Sequence, residues 1–186
     1  MLIKRARDII CEAMQWQPLT VTPLPYGLNA LEPCMSRHCV DVHYNKLTKR
    51  YFTKYNKSGD LFQKAGALLH DQYYWPLMQP YSKNNLPSED LEQSIHNVHV
   101  SVDNFKEKIL QSALSVQGNG WVLIMKDLQI QTVQNHVLPA QIACAIDIWE
   151  HATVDYDYDR EKFLDHYWNV INWSKLEQAL NEKTGY

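Results

Sequence analysis

The chain of 186 residues carries 18 basic and 21 acidic side chains, a formal charge of −3 and a hydrophobic content of 45%. That is enough apolar material for a substantial core, in one domain or two small ones, and a mildly acidic balance gives no reason to expect nucleic acid or an anionic membrane as partner. No apolar run approaches the roughly 20 residues that span a bilayer, and Cys11, Cys34, Cys39 and Cys144 form no CxxC pair, so they read as reduced thiols of a cytosol-like compartment.

The start, MLIKRARDIICEAM, mixes three basic residues with apolar ones in the manner of an organelle transit peptide, but Asp8 and Glu12 are unusual in such segments. Residues 1–20 therefore read as an N-terminal extension, an amphipathic helix with Leu2, Ala6, Ile9, Ile10 and Met14 on one side. A cytoplasmic location is expected, with a mitochondrial one as the alternative.

Thr22 to Pro33, TPLPYGLNALEP, is rich in proline and predicts an extended lead-in. Met35 to Tyr55 then keeps Val40, His43, Tyr44, Leu47, Tyr51 and Tyr55 at three-and-four spacing, one buried face of a helix. Asn56 to Asp60 breaks it at Gly59, and a second helix runs from about Leu61 to Met78, completing a hairpin. The polar stretch Gln79 to Asp90 marks the boundary between a hairpin domain, 21–80, and a C-terminal domain, 81–186.

In the second half Ser88 is placed to cap a helix that continues through NFKEKILQSALSV and stops at QGNG. The runs WVLIM, LQIQTV and IACAIDI predict a three-stranded antiparallel sheet, and REKFLDHYWNVINWSKLEQALNEK closes the chain as one or two helices. The fold class is α+β, a helical hairpin joined to a small α/β domain. Six Trp and eleven Tyr cluster in QYYW, DIWEH, DYDYD and HYWNVINW, a density that lines a core or an interface.

Candidate metal ligands are His43 in the first helix, His70 or Asp71 in the second, and the pair Asp147 and His151 after the last strand. Imidazole and carboxylate donors together suit Fe, Mn or Zn, and a position left open suits catalysis.

LPYGLNALEP, FKEKI, QGNGW, DIWEHA and YWNVINW, in that order, resemble the iron/manganese superoxide dismutases from about Pro23 to Leu180. The resemblance implies one Fe or Mn ion per subunit held by three His and one Asp, disproportionation of superoxide to oxygen and hydrogen peroxide, and a homodimer. His43, Asp147 and His151 match three of that family's ligands, and Tyr51 matches the tyrosine that gates its substrate funnel. His136 matches a residue that bonds metal-bound solvent, Glu150 the acid that reaches the second subunit, and Trp75, Trp121 and Trp149 the aromatic shell. Ala67 stands where other members supply an outer Gln. Leu47 and Val154 replace a His and a Tyr that bond across the family's dimer.

The second-helix ligand departs from the family. Counted back from Trp75, the NHxxxW ligand falls on Asp71, with His70 one place early and about 100° away on an α-helix. Asp71 is therefore the expected fourth ligand, one that adds negative charge, favours the trivalent metal and weakens activity. A π-bulge that brings in His70 instead, and a degenerate site that is empty or filled by Zn, are the alternatives. If the site is degenerate, the fold serves as a non-catalytic interaction or structural module.

Overall fold

The computed structural model describes residues 16–182. The amphipathic helix expected through Leu2 to Met14 lies outside the described residues. The lead-in runs in irregular and turn conformation to Ser36, whose hydroxyl accepts the Cys39 N–H and starts the first helix. That helix, α1, spans 37–58 in three pieces: α-helical over Arg37–Asp41, π-helical over Val42–Thr48, and α-helical again over Lys49–Ser58. Gly59 ends it at φ 66°, a left-handed conformation that glycine enters without a Cβ penalty.

Asp60 caps the second helix, α2, by accepting the Gln63 N–H. It is α-helical over Leu61–Leu68, π-helical over Leu69–Tyr74, and ends in a 3-10 turn over Trp75–Leu77, where Pro76 supplies no N–H. The hairpin is thus as read from the periodicity, but both of its helices carry a π-helical segment.

Ser88 caps α3, Glu89–His99, as its sequence position predicts, with Glu89, Asp90 and Glu92 in the first turn against the helix dipole. The single continuing helix expected here is instead two. Val100 sits at φ 72°, and Ser101 turns outward to cap Asn104 and begin α4, Val102–Ser115. A β-branched residue in that backbone region is strained, so packing on both sides of the break holds it there. Leu91 and Ile95 of α3 and Phe105, Ile109 and Ala113 of α4 are all buried.

Three strands follow: β1, Gly120–Met125; β2, Ile130–Gln134; and β3, Ile142–Asp147. They form one antiparallel sheet in the order β2-β1-β3. Every residue of β1 and β3 is buried, whereas β2 is a half-exposed edge. Helices cover both faces of the central pair, which accounts for their continuous apolar sequences. A short helix α5, Glu150–Thr153, leads to α6, Arg160–Tyr167, and α7, Trp173–Asn181. No helix of the described residues is long and apolar enough to cross a membrane.

The register of the sheet matters for the site. Trp121 on β1 lies opposite Asp147, the last residue of β3, and β3 packs against the π-helical segment of α2. The end of the sheet that carries Trp121 and Asp147 therefore abuts the middle of the hairpin.

Candidate metal centre

Four side chains converge at that junction. His43 comes from the π-segment of α1, His70 from that of α2, Asp147 from the end of β3, and His151 from α5 one turn later. Each offers a donor atom within 4.8 Å of the others. Asp147 Oδ2 stands 3.2 Å from His43 Nε2, 3.3 Å from His70 Nε2 and 3.2 Å from His151 Nε2. The His43 and His70 Nε2 atoms are 3.0 Å apart. Two donors each about 2.1 Å from one ion at a tetrahedral angle are about 3.4 Å apart, so these separations fit a shared cation.

The proton positions fit as well. His70 Nδ1 lies 2.7 Å from the Gly66 carbonyl, which can only accept, so the proton is on Nδ1 and Nε2 presents a lone pair to the centre. Burial and the neighbouring His151 push His43 down to about 3, keeping its ring neutral. Burial would raise Asp147, but the charge of His151 and hydrogen bonds from the three imidazoles hold it well below the usual carboxylate range. Its other oxygen accepts the Trp149 backbone N–H at 2.8 Å. His151 is lowered by burial, yet the adjacent Asp147 charge and hydrogen bond leave it above its ordinary value. A cation entering here would replace that proton on His151.

Asp71, the expected fourth donor, is not in this cluster; the alternative, His70, stands there instead. In an α-helix residue i+4 stands over residue i, but in a π-turn residue i+5 does. His70 and Trp75 are five apart, so the π-segment puts both on the inner face and turns Asp71 outward. There its carboxylate accepts the Thr22 N–H at 2.7 Å and the Thr22 hydroxyl at 2.9 Å. The extra charge and the bias to a trivalent metal expected of an Asp71 ligand do not arise. The same shift corrects the Ala67 expectation. Gly66 is the position that faces the outer residues, since a Cβ there would lie 2.9 Å from His136 Cδ2 and 3.1 Å from the Tyr51 ring. Of the two second-helix candidates it is the alternative, His70, that joins the other donors, and Gly66 is the residue missed; the sequence signal for both was the four residues, rather than three, between His70 and Trp75.

The other candidates surround the four donors. Trp75 packs edge-on to His43 with ring centroids 4.8 Å apart, and Trp121 does the same to His70 at 4.8 Å. Tyr51 stacks on His70 at 5.4 Å and meets His136 edge-on at 4.7 Å. His136 stacks on Trp149 at 4.7 Å and accepts the Trp121 indole N–H on Nδ1 at 3.2 Å. Its proton is therefore on Nε2, which is buried without a hydrogen-bond partner. Burial, chiefly, lowers His136 to about 4 and raises Tyr51 to about 12, so His136 is neutral and Tyr51 a phenol at neutral pH. Glu150 lies at the surface with the Asn119 amide against its carboxylate.

The side chains of His43, His70 and Asp147 are at most 1% exposed, whereas His151 is 21% exposed. Three of the donors are thus enclosed and the fourth stands at the rim.

The chain matches two family models, iron/manganese superoxide dismutases, alpha-hairpin domain, over residues 19–72, and iron/manganese superoxide dismutases, C-terminal domain, over residues 87–179. It is 30% identical to an iron superoxide dismutase of Pyrobaculum aerophilum, covering 88% of this chain and 92% of that protein. It is 32% identical to the iron enzyme of Sulfolobus acidocaldarius over 86% of this chain and 92% of that one. A mitochondrial manganese superoxide dismutase of Schizosaccharomyces pombe is 26% identical over 88% of each. With both models matched in chain order around three imidazoles and a carboxylate, the chain belongs to the iron/manganese superoxide dismutases.

Proposed function

We propose that the protein is an active superoxide dismutase whose single Fe or Mn ion is held by His43, His70, Asp147 and His151. The observation that carries this reading is the convergence of those four donors within 4.8 Å, with a proton fixed on the far nitrogen of His70. With Asp71 outside the cluster, the donor set is the one the family resemblance implies, which supports the dismutase reading over a degenerate or purely structural site.

Held by these four residues, Fe or Mn would supply a one-electron couple between two superoxide anions. The residues manage charge and protons. Neutral imidazoles and one ionised carboxylate would leave a bound trivalent ion with net positive charge, which favours the approach of an anionic substrate. Two superoxide anions and two protons give one oxygen and one hydrogen peroxide. Tyr51, a phenol at neutral pH, and the unpaired Nε2–H of His136 are proton donors beside the centre, their rings 5.4 and 6.0 Å from that of His70. Trp75, Trp121 and Trp149 exclude bulk water and hold the rings at the distances given above.

A homodimer formed through Glu150 and the surface of α5 is part of this proposal. Val154, directly after α5, is 42% exposed and offers an apolar contact where the family has a polar one. The buried, unpaired cysteines Cys34, Cys39 and Cys144 support a reducing, cytosol-like location.

Elemental analysis and superoxide dismutation measured on one purified sample test the reading. Stoichiometric Fe or Mn with activity is expected; stoichiometric Fe or Mn without dismutation would remove it.

A further inference from the structure

A π-turn accommodates one residue more than an α-turn, so the segment Leu69–Tyr74 must settle which of two neighbours, His70 or Asp71, faces the buried side. Burial alone does not settle it. An imidazole and a carboxylate are both stable at a cation site, and a one-residue slip of the turn exchanges them. Something outside the turn has to fix the register.

Three hydrogen bonds to one lead-in residue do so. Thr22 gives its backbone N–H to Asp71 Oδ1 at 2.7 Å and its hydroxyl to Asp71 Oδ2 at 2.9 Å. Its carbonyl accepts the Tyr44 hydroxyl at 2.6 Å. Tyr44 lies in the π-segment of α1, next to His43, and its ring packs edge-on to Trp75 with centroids 5.8 Å apart. Thr22 thus joins the two π-segments from outside, touching the residue adjacent to each histidine. Both oxygens of Asp71 are occupied at short distance, and hydrogen bonds to an ionised acceptor are stronger than neutral ones.

We propose that Asp71 is a positioning residue: its paired bonds to Thr22 hold the π-turn in the register that directs His70, and not Asp71, at the centre. This rests on the reading of His70 as a ligand, since positioning matters only if the imidazole has an ion to meet. The acid that looks in sequence like a replaced ligand is the outer anchor of the true one. It works through backbone geometry and touches neither metal nor substrate.

Asp71→Ala removes both bonds, whereas Asp71→Asn keeps them, because the amide oxygen accepts the Thr22 N–H and the amide nitrogen donates to its hydroxyl. Two measurements on the full chain separate positioning from general stability. In metal-free protein labelled with 15N at histidine, the buried Nδ1–H of His70 gives a resolved, slowly exchanging proton resonance. It is expected in the wild type and in Asp71→Asn, and lost or displaced in Asp71→Ala. Affinity for Mn(II), measured by chelator competition, is expected to fall about ten-fold or more in Asp71→Ala, as loss of an outer partner of a ligand does, and to return in Asp71→Asn. An undisplaced His70 resonance or an unchanged Mn(II) affinity in Asp71→Ala overturns the proposal, even if its melting temperature drops. Should the wild type take up neither Mn(II) nor Fe, the metal reading falls, and the imidazole resonance alone then decides whether the clasp sets His70.

Discussion

The imidazole of His70 gives its Nδ1–H to the carbonyl of Gly66, four residues earlier in the same helix, at 2.7 Å. The bond fixes the ring's tautomer and carries the lone pair on Nε2 toward His43, Asp147 and His151. A buried imidazole oriented in this way is committed to whatever lies beyond Nε2, so the two neighbours in sequence, His70 and Asp71, have opposite roles.

Substitution separates those roles. His70→Gln deletes a donor from the centre and is expected to reduce Mn(II) or Fe retention by more than the roughly 100-fold that loss of an outer partner costs. Asp71→His, which restores the family spacing to Trp75, is expected to leave metal retention no better than wild type, because position 71 faces Thr22. Metal content after exhaustive dialysis, compared among the three proteins, checks both. A gain in Asp71→His would show that side chain 71 reaches the ion.

Gly66 makes room for His136. A methyl group there would sit 2.9 Å from Cδ2 and 3.1 Å from Nε2 of that ring, closer than van der Waals contact allows. Overpacking of this kind costs about 1–3 kcal/mol, against a gain of about 1 kcal/mol when alanine replaces glycine within a helix. Gly66→Ala is therefore expected to be destabilising on its own. In a His136→Ala background the clash with the imidazole is gone while the contact with the Tyr51 ring at 3.1 Å remains, so the same substitution is expected to be less destabilising than in the wild type. Denaturant unfolding of the four proteins gives the coupling energy, and equal effects in both backgrounds would mean that the ring is not confined by position 66.

Much of this was legible in the residues. Three-and-four spacing located the hairpin, and short apolar runs located β1 and β3, because those patterns report which faces are buried. His43, Asp147 and His151 were legible because their spacing to Tyr51, Trp149 and each other survives in this chain. Helix type was not. Periodicity records faces, while a π-turn is a slip in the hydrogen-bond ladder that leaves composition unchanged, and only the count from His70 to Trp75 carried it. The break after α3 was obscured for a related reason. Valine is a poor residue for positive φ, so Val100 reads as helix interior, and the stop signal lay instead in the capping serine that follows it.

Thr48 connects the π-segment of α1 to the 3-10 turn that ends α2, from inside. Its hydroxyl donates to the His43 carbonyl at 3.0 Å and accepts the Trp75 indole N–H at 3.0 Å, and the side chain is fully buried. Thr48→Val keeps the shape but leaves the indole N–H without a partner in the core, at a cost of about 1–3 kcal/mol. Thr48→Ser preserves the hydroxyl and is expected to recover most of that loss. Unfolding midpoints of the two variants check this, and a valine variant as stable as the wild type would mean the bridge contributes nothing net.

The cysteines give a prediction with a defined pH range. Cys34, Cys39 and Cys144 are buried, and chiefly by burial each thiol is pushed from 9.0 up to about 12. The thiolate is the reactive form, so at pH 8 these side chains are both inaccessible and almost wholly protonated. In a Cys11→Ser protein, with the remaining Cys outside the described residues removed, a thiol reagent is expected to label no cysteine in the native state and three in guanidinium. Linkage gives the accompanying sign. Well below pH 9 both states keep the thiols protonated and stability is unaffected by them. Between pH 9 and about 12 the unfolded chain releases these protons while the folded chain retains them, so stability falls as pH rises through that window. Unfolding followed from pH 8 to 11 should show that decline, and it should be reduced in a variant with Cys144→Ala, whose thiol is the most deeply enclosed of the three.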